Sequence, residues 1–341
     1  MFGLSPIQIK MIIAGIVALL FIIVLLYLNP TDIVFVKEFF GTTNETKINC
    51  LNKKQAAEVF GNPAKFPIIK KFKEKETILR TCYEGSFYNI SDLQNKALNY
   101  YKTRVQNFSQ KEISYLTKKV AQLQKQINKF NEINNFKFPV MKQWNFIKLS
   151  KSMDWGYPYT IDKYIVLPSN FTEWENNSLV STLFHEQFHI YQRMYPRQFE
   201  KFYDLFGFEK IKEPVIPKNI TNRLVTNPDA PYIDYAFKLE NNKYLVPFLM
   251  LNSLNLHTSR GLIYNKNKKG ILILESSNLI DLKKYDYYYS KFYKSKQPYH
   301  PHEIFATVVQ KFVFTGLKFT EQDTKLYRNF FNTNLILFQK L

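Results

Sequence analysis

One segment of the chain combines an apolar helical pattern with two metal-ligating side chains, and it restricts the local fold more than any other. Residues 185–189 read His-Glu-Gln-Phe-His, and apolar residues recur around them at helical spacing until Pro196 ends the pattern. On a helix, positions i and i+4 share one face, so His185 and His189 can reach one zinc ion while Glu186 lies beside it as general base. The alternative is a pair of hydrogen-bonded histidines that only pack on a helix flank.

A hydrolytic zinc site needs a third protein ligand. The extended form H-E-x-x-H-x-x-G-x-x-H is excluded, because Gln192 stands at its Gly position and a tyrosine at its last His. The best segment further along is residues 299–306, Tyr-His-Pro-His-Glu-Ile-Phe-Ala, whose proline suits the first turn of a helix. Glu303 is the first candidate for the third ligand, and His300 or His302 is the alternative. A first-turn Glu that only complements the helix dipole also stays open.

These two segments, His-Glu-Gln-Phe-His and Pro-His-Glu-Ile-Phe-Ala, resemble the zincin metallopeptidases, specifically the gluzincin-like branch, whose third ligand is a Glu on a second helix. The resemblance covers about residues 140–315. It implies Zn²⁺ as cofactor, His185, His189 and Glu303 as ligands, Glu186 as general base, and a peptide or protein as substrate. The chain departs from the family at Thr307, where an Asp often supports a ligand histidine. The interval between the two segments is also longer than in many gluzincins.

A longer string, His-Glu-Gln-Phe-His-Ile-Tyr-Gln-Arg, is also similar to uncharacterised zincin-like membrane proteins of large DNA viruses. This second resemblance implies a place in a membrane, and the N-terminal sequence agrees with it.

Residues 11–28 form an uncharged apolar run that is long enough to cross a bilayer as a helix. No small-x-small cleavage pattern follows, so we predict a retained single-pass anchor rather than a signal peptide. Lys10 before the run places most of the chain on the lumenal, extracellular or virion side. On that side Cys50 and Cys82 could form a disulfide.

The formal net charge of +19 raises the question of nucleic-acid binding. Lysine far outnumbers arginine, the charges are spread along the chain, and no nucleic-acid motif accompanies them. We therefore predict no specific nucleic-acid partner, and the partners expected are the lipid bilayer and a peptide or protein substrate.

The other segments complete the predicted architecture. Residues 91–135 read as helix, with an interrupted register between Phe108 and Ile113; they could form a self-associating stalk or pack on the catalytic domain. Residues 159–167 predict a strand against which a peptide could lie, residues 197–210 a helix, and residues 242–275 a series of strands.

The sequence thus predicts an α+β fold, with a zincin-like domain behind a transmembrane helix and a helical stalk-like region. We divide the chain into an anchor (1–29), a largely helical membrane-proximal region (30–136) and a metallopeptidase-like domain (137–341). The expected function is a membrane-anchored, zinc-dependent hydrolase of peptides. The alternative is a catalytically inactive zincin-fold membrane protein with a structural or interaction role, for example in a viral particle.

Overall fold

Two β-sheets and ten α-helices make up the part of the protein that a computed structural model describes, residues 46–62 and 64–338. The mixed content confirms the α+β prediction. The strands are β1 (Lys47–Cys50), β2 (Val105–Gln106), β3 (Gln143–Leu149), β4 (Tyr159–Ile161), β5 (Tyr164–Pro168), β6 (Phe208–Lys210), β7 (Tyr235–Lys238), β8 (Lys243–Leu251), β9 (His257–Lys266), β10 (Leu272–Leu274) and β11 (Ile280–Asp281). The helices are α1 (Lys53–Gly61), α2 (Glu74–Thr81), α3 (Ile90–Arg104), α4 (Gln110–Asn134), α5 (Asn176–Met194), α6 (Pro196–Leu205), α7 (Lys218–Thr221), α8 (Asp286–Lys291), α9 (Pro301–Phe314) and α10 (Glu321–Phe338).

The first sheet has the order β1-β3-β5-β4, and β2 pairs with β3. Strands β1 and β5 run parallel to β3, whereas β4 is antiparallel to β5 and forms an edge. The predicted single strand over 159–167 is therefore a hairpin. Asp162 turns the chain with a positive φ of 50°, which a short polar side chain tolerates. The turn converts an expected long strand into a three-residue edge strand.

The second sheet is antiparallel, with the order β10-β9-β8-β7-β6 and β11 paired to β9. Strands β8, β9 and β10 agree with the strands predicted for residues 242–275. Residues 197–210, in contrast, are helical only as far as Leu205. Gly207, with φ of 93°, ends that segment and leads into β6.

The helical stretch predicted over 91–135 is two helices, α3 and α4, separated where the apolar register is interrupted. Ser109 caps α4 and forms a capping box with Glu112. The apolar face of α4 lies in the same hydrophobic core as residues of α5. Of the two arrangements that the sequence allowed, a stalk or a helix packed on the rest of the domain, α4 adopts the packed one. Self-association through residues 91–135 stays a prediction. The α4 residues in this core are Leu116, Val120, Leu123 and Ile127.

No helix within the described residues is long and apolar enough to cross a membrane. The predicted anchor, residues 11–28, lies outside the described residues. The suggested disulfide does not form: Cys50 and Cys82 are both free thiols. Burial raises the pKa of Cys50 to about 11, and the Cys82 thiol donates to the carbonyl of Ser152 at 3.4 Å.

Helices α5 and α9 carry the two predicted metal segments and pack against each other in the main core. Gln310 on α9 donates from its amide to the carbonyl of Ser181 on α5 at 2.9 Å, which ties the helices together. Pro301 occupies the first turn of α9, as its sequence position predicts. The packing places the first turn of α9 beside the middle of α5.

Candidate metal centre

The three predicted zinc ligands come together between α5 and α9. The Nε2 atoms of His185 and His189 lie 2.9 Å apart, and the Glu303 carboxylate oxygens lie 3.4 Å from each of them. All three side chains are buried, and their ligand atoms lie within 4.8 Å of one another. Two segments that are far apart in sequence therefore present one compact cluster of nitrogen and oxygen donors.

The donor set fits a single Zn²⁺ ion. Tetrahedral zinc bound at 2.0–2.2 Å by nitrogen and oxygen ligands separates those ligand atoms by about 3.3 Å. The observed separations of 2.9 and 3.4 Å lie on either side of that value. Glu303 Oε2 makes no hydrogen bond of normal geometry within the described residues, although His185 Nε2 is 3.4 Å away. A buried oxygen of this kind suits a cation as its partner.

The other two histidines of the second segment lie elsewhere. His300 caps α9, because its Nδ1 accepts from the backbone N–H of His302, and its Nε2 lies 3.2 Å from Asp234. His302 Nδ1 lies 3.0 Å from the carbonyl of Asp229. Among the described residues, the group that could hold a metal ion therefore includes Glu303 and neither His300 nor His302.

Protons and a metal ion compete for this cluster. Burial lowers the pKa of His189, but the carboxylates of Glu303 and Asp229 outweigh it and raise that pKa to about 10. Burial raises the pKa of Glu303, and the two histidines outweigh it and hold the pKa well below its usual range. Because a metal ion binds neutral imidazole, its binding here would require His189 to lose that proton.

Glu186 faces the same cleft as His185 and is itself buried. Its Oε2 has no hydrogen-bond partner among residues 46–62 and 64–338. Burial raises the pKa of Glu186 well above its usual range, and the charges of Asp229 and Glu303 add to the effect. Burial and the neighbouring carboxylates therefore favour the protonated form of Glu186.

Gln192 sets the orientation of His189. The Nδ1–H of His189 donates to the amide oxygen of Gln192 at 2.8 Å, and the Gln192 amide donates to the His302 carbonyl at 2.9 Å. Because Nδ1 keeps its proton in this bond, loss of the second ring proton would leave the Nε2 lone pair facing Glu303. In the sequence, Gln192 is identified only by its mismatch to an extended motif. Its position one helical turn after His189 was the available signal.

Asn227 holds the carboxylate of Glu303. Its side-chain amide donates to Glu303 Oε1 at 2.5 Å and also to the hydroxyl of Tyr299, while its own oxygen accepts from the backbone N–H of Asp229 at 2.9 Å. Tyr299 therefore lies beside Glu303, through the shared Asn227 amide. Asn227 was not predicted; the Asn-Pro-Asp sequence indicated only a turn.

A buried ionic cluster anchors the loop that carries Asn227. Arg80 lies 2.9 Å from Glu76 and 2.8 Å from Asp154, and its guanidinium also donates to the Thr226 carbonyl. Glu76 accepts from the backbone N–H of Thr226 at 2.7 Å. The residue before Asn227 is thus held through both of its backbone polar groups.

The edge strand β4 is already covered beside the metal centre. The backbone N–H of Thr160 donates to Asp229 at 3.0 Å, and its carbonyl accepts from Arg193 on α5. These are the groups that an added peptide strand would need. A peptide cannot pair with β4 at Thr160 unless Asp229 and Arg193 move, so the strand-addition mode suggested by the sequence has no free partner there.

A cleft of about 740 Å³ opens over the metal centre. Its lining includes His185, Glu186 and Glu303, together with Tyr159 of β4. His257 at the start of β9 also lines it; its ring packs edge-on to Trp155, and its Nε2 is buried with no hydrogen-bond partner in the described chain. Burial and the nearby Arg80 lower the pKa of His257 to about 4, so it is neutral at pH 7.

Comparison with known proteins adds no assignment to this geometry: no family model, no curated protein and no solved structure matches the chain.

Proposed function

We propose that the protein is a zinc-dependent metallopeptidase with a zincin-like catalytic domain, attached to a membrane through residues 11–28. The observation that carries the proposal is the convergence of His185, His189 and Glu303 beside a buried Glu186 in an open cleft. A site that serves structure alone needs no carboxylate base and no access for a substrate.

Each residue has a separate task in this proposal. His185, His189 and Glu303 would hold Zn²⁺, which supplies Lewis-acid chemistry by polarising a carbonyl and lowering the pKa of water. Glu186 accepts a proton from the attacking water at its unpartnered Oε2 and returns it to the leaving amine. Burial raises the pKa of Glu186 and so helps it to hold the proton between the two transfers.

The second layer of residues keeps this arrangement fixed. Gln192 sets the tautomer of His189, and Asn227 fixes the rotamer of Glu303. Ligand histidines commonly donate their second ring N–H to such a partner, and loss of the partner weakens metal affinity. A glutamine therefore takes the supporting role that the resemblance assigns to an Asp at position 307.

Metal content tests the site. We expect one zinc per chain after dialysis of the full-length protein in non-ionic detergent, and a large loss in His189→Ala and in Glu303→Ala. His302→Gln is the matched control, because His302 is the alternative ligand and its Nδ1 lies 3.0 Å from the Asp229 carbonyl. Zinc lost from His302→Gln and kept in Glu303→Ala would contradict the ligand set.

Hydrolysis tests the base. Zinc-loaded Glu186→Gln should keep its metal and lose peptidase activity by a factor of about 10²–10⁴, the usual contribution of general base catalysis. A zinc-loaded wild-type protein that cleaves no peptide in a diverse library would contradict the enzymatic proposal. That result would favour the structural or interaction protein that the sequence left open.

A further inference from the structure

Three exposed lysines line the cleft of the metal centre. Lys283 and Lys284 follow β11, and Lys296 lies in the loop before α9. Within residues 46–62 and 64–338, none of the three makes a side-chain hydrogen bond or an ion pair. Their ammonium groups are thus available to a ligand.

The acidic residues of the same cleft are already engaged inside the protein. Asp154 lies 2.8 Å from Arg80, and Asp281 lies 2.8 Å from Arg260. Asp229 accepts hydrogen bonds from a β4 backbone N–H and lies 3.4 Å from an arginine. Each of these carboxylates therefore has a cationic partner other than the three lysines.

The metal centre would not oppose the charge of the lysines. With Zn²⁺ bound by two neutral histidines and Glu303, its net charge would be between zero and +1, depending on whether Glu186 is ionised. Within the described chain, Lys283, Lys284 and Lys296 are therefore the unpaired cationic side chains of the cleft lining. A concave site with charges of one sign focuses its field on the incoming ligand.

We propose that the cleft selects peptide segments that carry acidic side chains beside the scissile bond, and that Lys283, Lys284 and Lys296 bind those side chains. The proposal rests on the proposed peptidase function and adds the substrate class. One exposed ion pair changes affinity by a factor of about 1.4 to 5, so three such pairs together give about a tenfold preference. Such a preference weakens with salt, because the Debye length falls from about 8 Å at physiological ionic strength to 3 Å at 1 M.

Two quenched fluorescent peptide libraries test the preference. Both have the same randomised core, which is flanked by Glu in one library and by Lys in the other. We expect the zinc-loaded full-length protein, in non-ionic detergent, to cleave the Glu-flanked library with about tenfold higher kcat/KM at low salt. Equal rates on the two libraries, or faster cleavage of the Lys-flanked one, would overturn the proposal.

Matched variants assign the preference to the cleft. Lys283→Gln, Lys284→Gln and Lys296→Gln together should abolish the preference while zinc stays bound. The control combines Lys118→Gln, Lys125→Gln and Lys129→Gln, three exposed residues of α4 that do not line the cleft; it removes the same charge and should keep the preference. Equal losses in both triple variants would mean that total protein charge, and not the cleft, selects the substrate.

Binding to zinc-loaded Glu186→Gln separates this proposal from the enzymatic one. Fluorescence anisotropy should show tighter binding of Glu-flanked peptides even though this variant does not turn over. Tighter binding without any wild-type cleavage would refute the peptidase function and support the acidic-ligand site. Wild-type cleavage without a binding preference would support the peptidase function and refute the acidic-ligand site. A DNA oligonucleotide that binds more tightly than the acidic peptides, through the same three lysines, would overturn the assignment to peptides.

Discussion

Replacement of Gln192 by Leu tests whether the residues behind the ligands control the metal centre. The change keeps side-chain volume and removes the acceptor of the His189 Nδ1–H, 2.8 Å away, and the donor to the His302 carbonyl. Loss of a partner to a ligand histidine typically lowers metal affinity 10- to 100-fold, which corresponds to about 1.4–2.8 kcal/mol of binding free energy. Two lost buried hydrogen bonds should also lower the free energy of unfolding of the zinc-free protein by about 2 kcal/mol.

The same helix provides a matched control. Gln187 is equally buried on α5, and its amide makes two hydrogen bonds, to the backbone N–H of Met141 at 3.0 Å and to the carbonyl of Pro139 at 3.1 Å. Gln187→Leu should therefore cost a similar free energy of unfolding without touching a ligand histidine.

Competition with a chromophoric zinc chelator measures affinity, and urea unfolding of the zinc-free protein measures stability. We expect both variants to lose stability and only Gln192→Leu to lose zinc affinity. Wild-type affinity in Gln192→Leu, or an equal loss in Gln187→Leu, would show that general destabilisation and not imidazole orientation governs binding.

Three further predictions concern the surroundings of the site. The folded-state pKa of His257 is lowered to about 4, below the unfolded value of 6.5, so its contribution to stability is present above pH 6.5 and lost as the pH falls towards 4. In His257→Gln the urea midpoint should therefore change less between pH 6.5 and pH 4 than in the wild type. An unchanged pH dependence would contradict the assignment. Arg80→Met leaves Asp154 buried without its cation and should lower the free energy of unfolding by about 3–5 kcal/mol, measured in urea; a loss below 1 kcal/mol would mean that the cluster relaxes or hydrates. A Cβ at Gly261 would lie 2.6 Å from Leu245 Cδ1, so Gly261→Ala should cost about 1–3 kcal/mol. In Gly270→Ala the Cβ would meet only Lys266 Cε, in ordinary contact at 3.8 Å, so the cost is the strain of a positive φ and should be smaller in the same urea assay.

Local patterns were informative wherever neighbours along the chain decide the structure. The apolar period around His185 predicted α5, and Pro301 predicted the first turn of α9. The predictions were wrong where one residue in a run changed the backbone direction. Asp162 splits the expected strand into a hairpin, and Gly207 ends a helix early, because both adopt positive φ.

The strand β4 shows why local patterns do not reveal function. Its sequence predicts a strand correctly, and nothing in the sequence indicates that Asp229 already binds its outward N–H. That hydrogen bond joins residues 69 positions apart. Whether an edge is free depends on side chains from distant loops, which periodicity does not report.

The candidate metal centre also has one part that the sequence determines and another that only the tertiary structure decides. The spacing of His185 and His189 follows from helix geometry alone, so the residues themselves specify that one face of α5 can chelate a metal. Glu303, and not His300 or His302, lies beside the two histidines because of the way α9 packs on α5. Tertiary structure also decides the proposed roles of Asn227, Gln192 and the lysines of the cleft. Side chains from distant segments converge only when the chain buries its apolar surface.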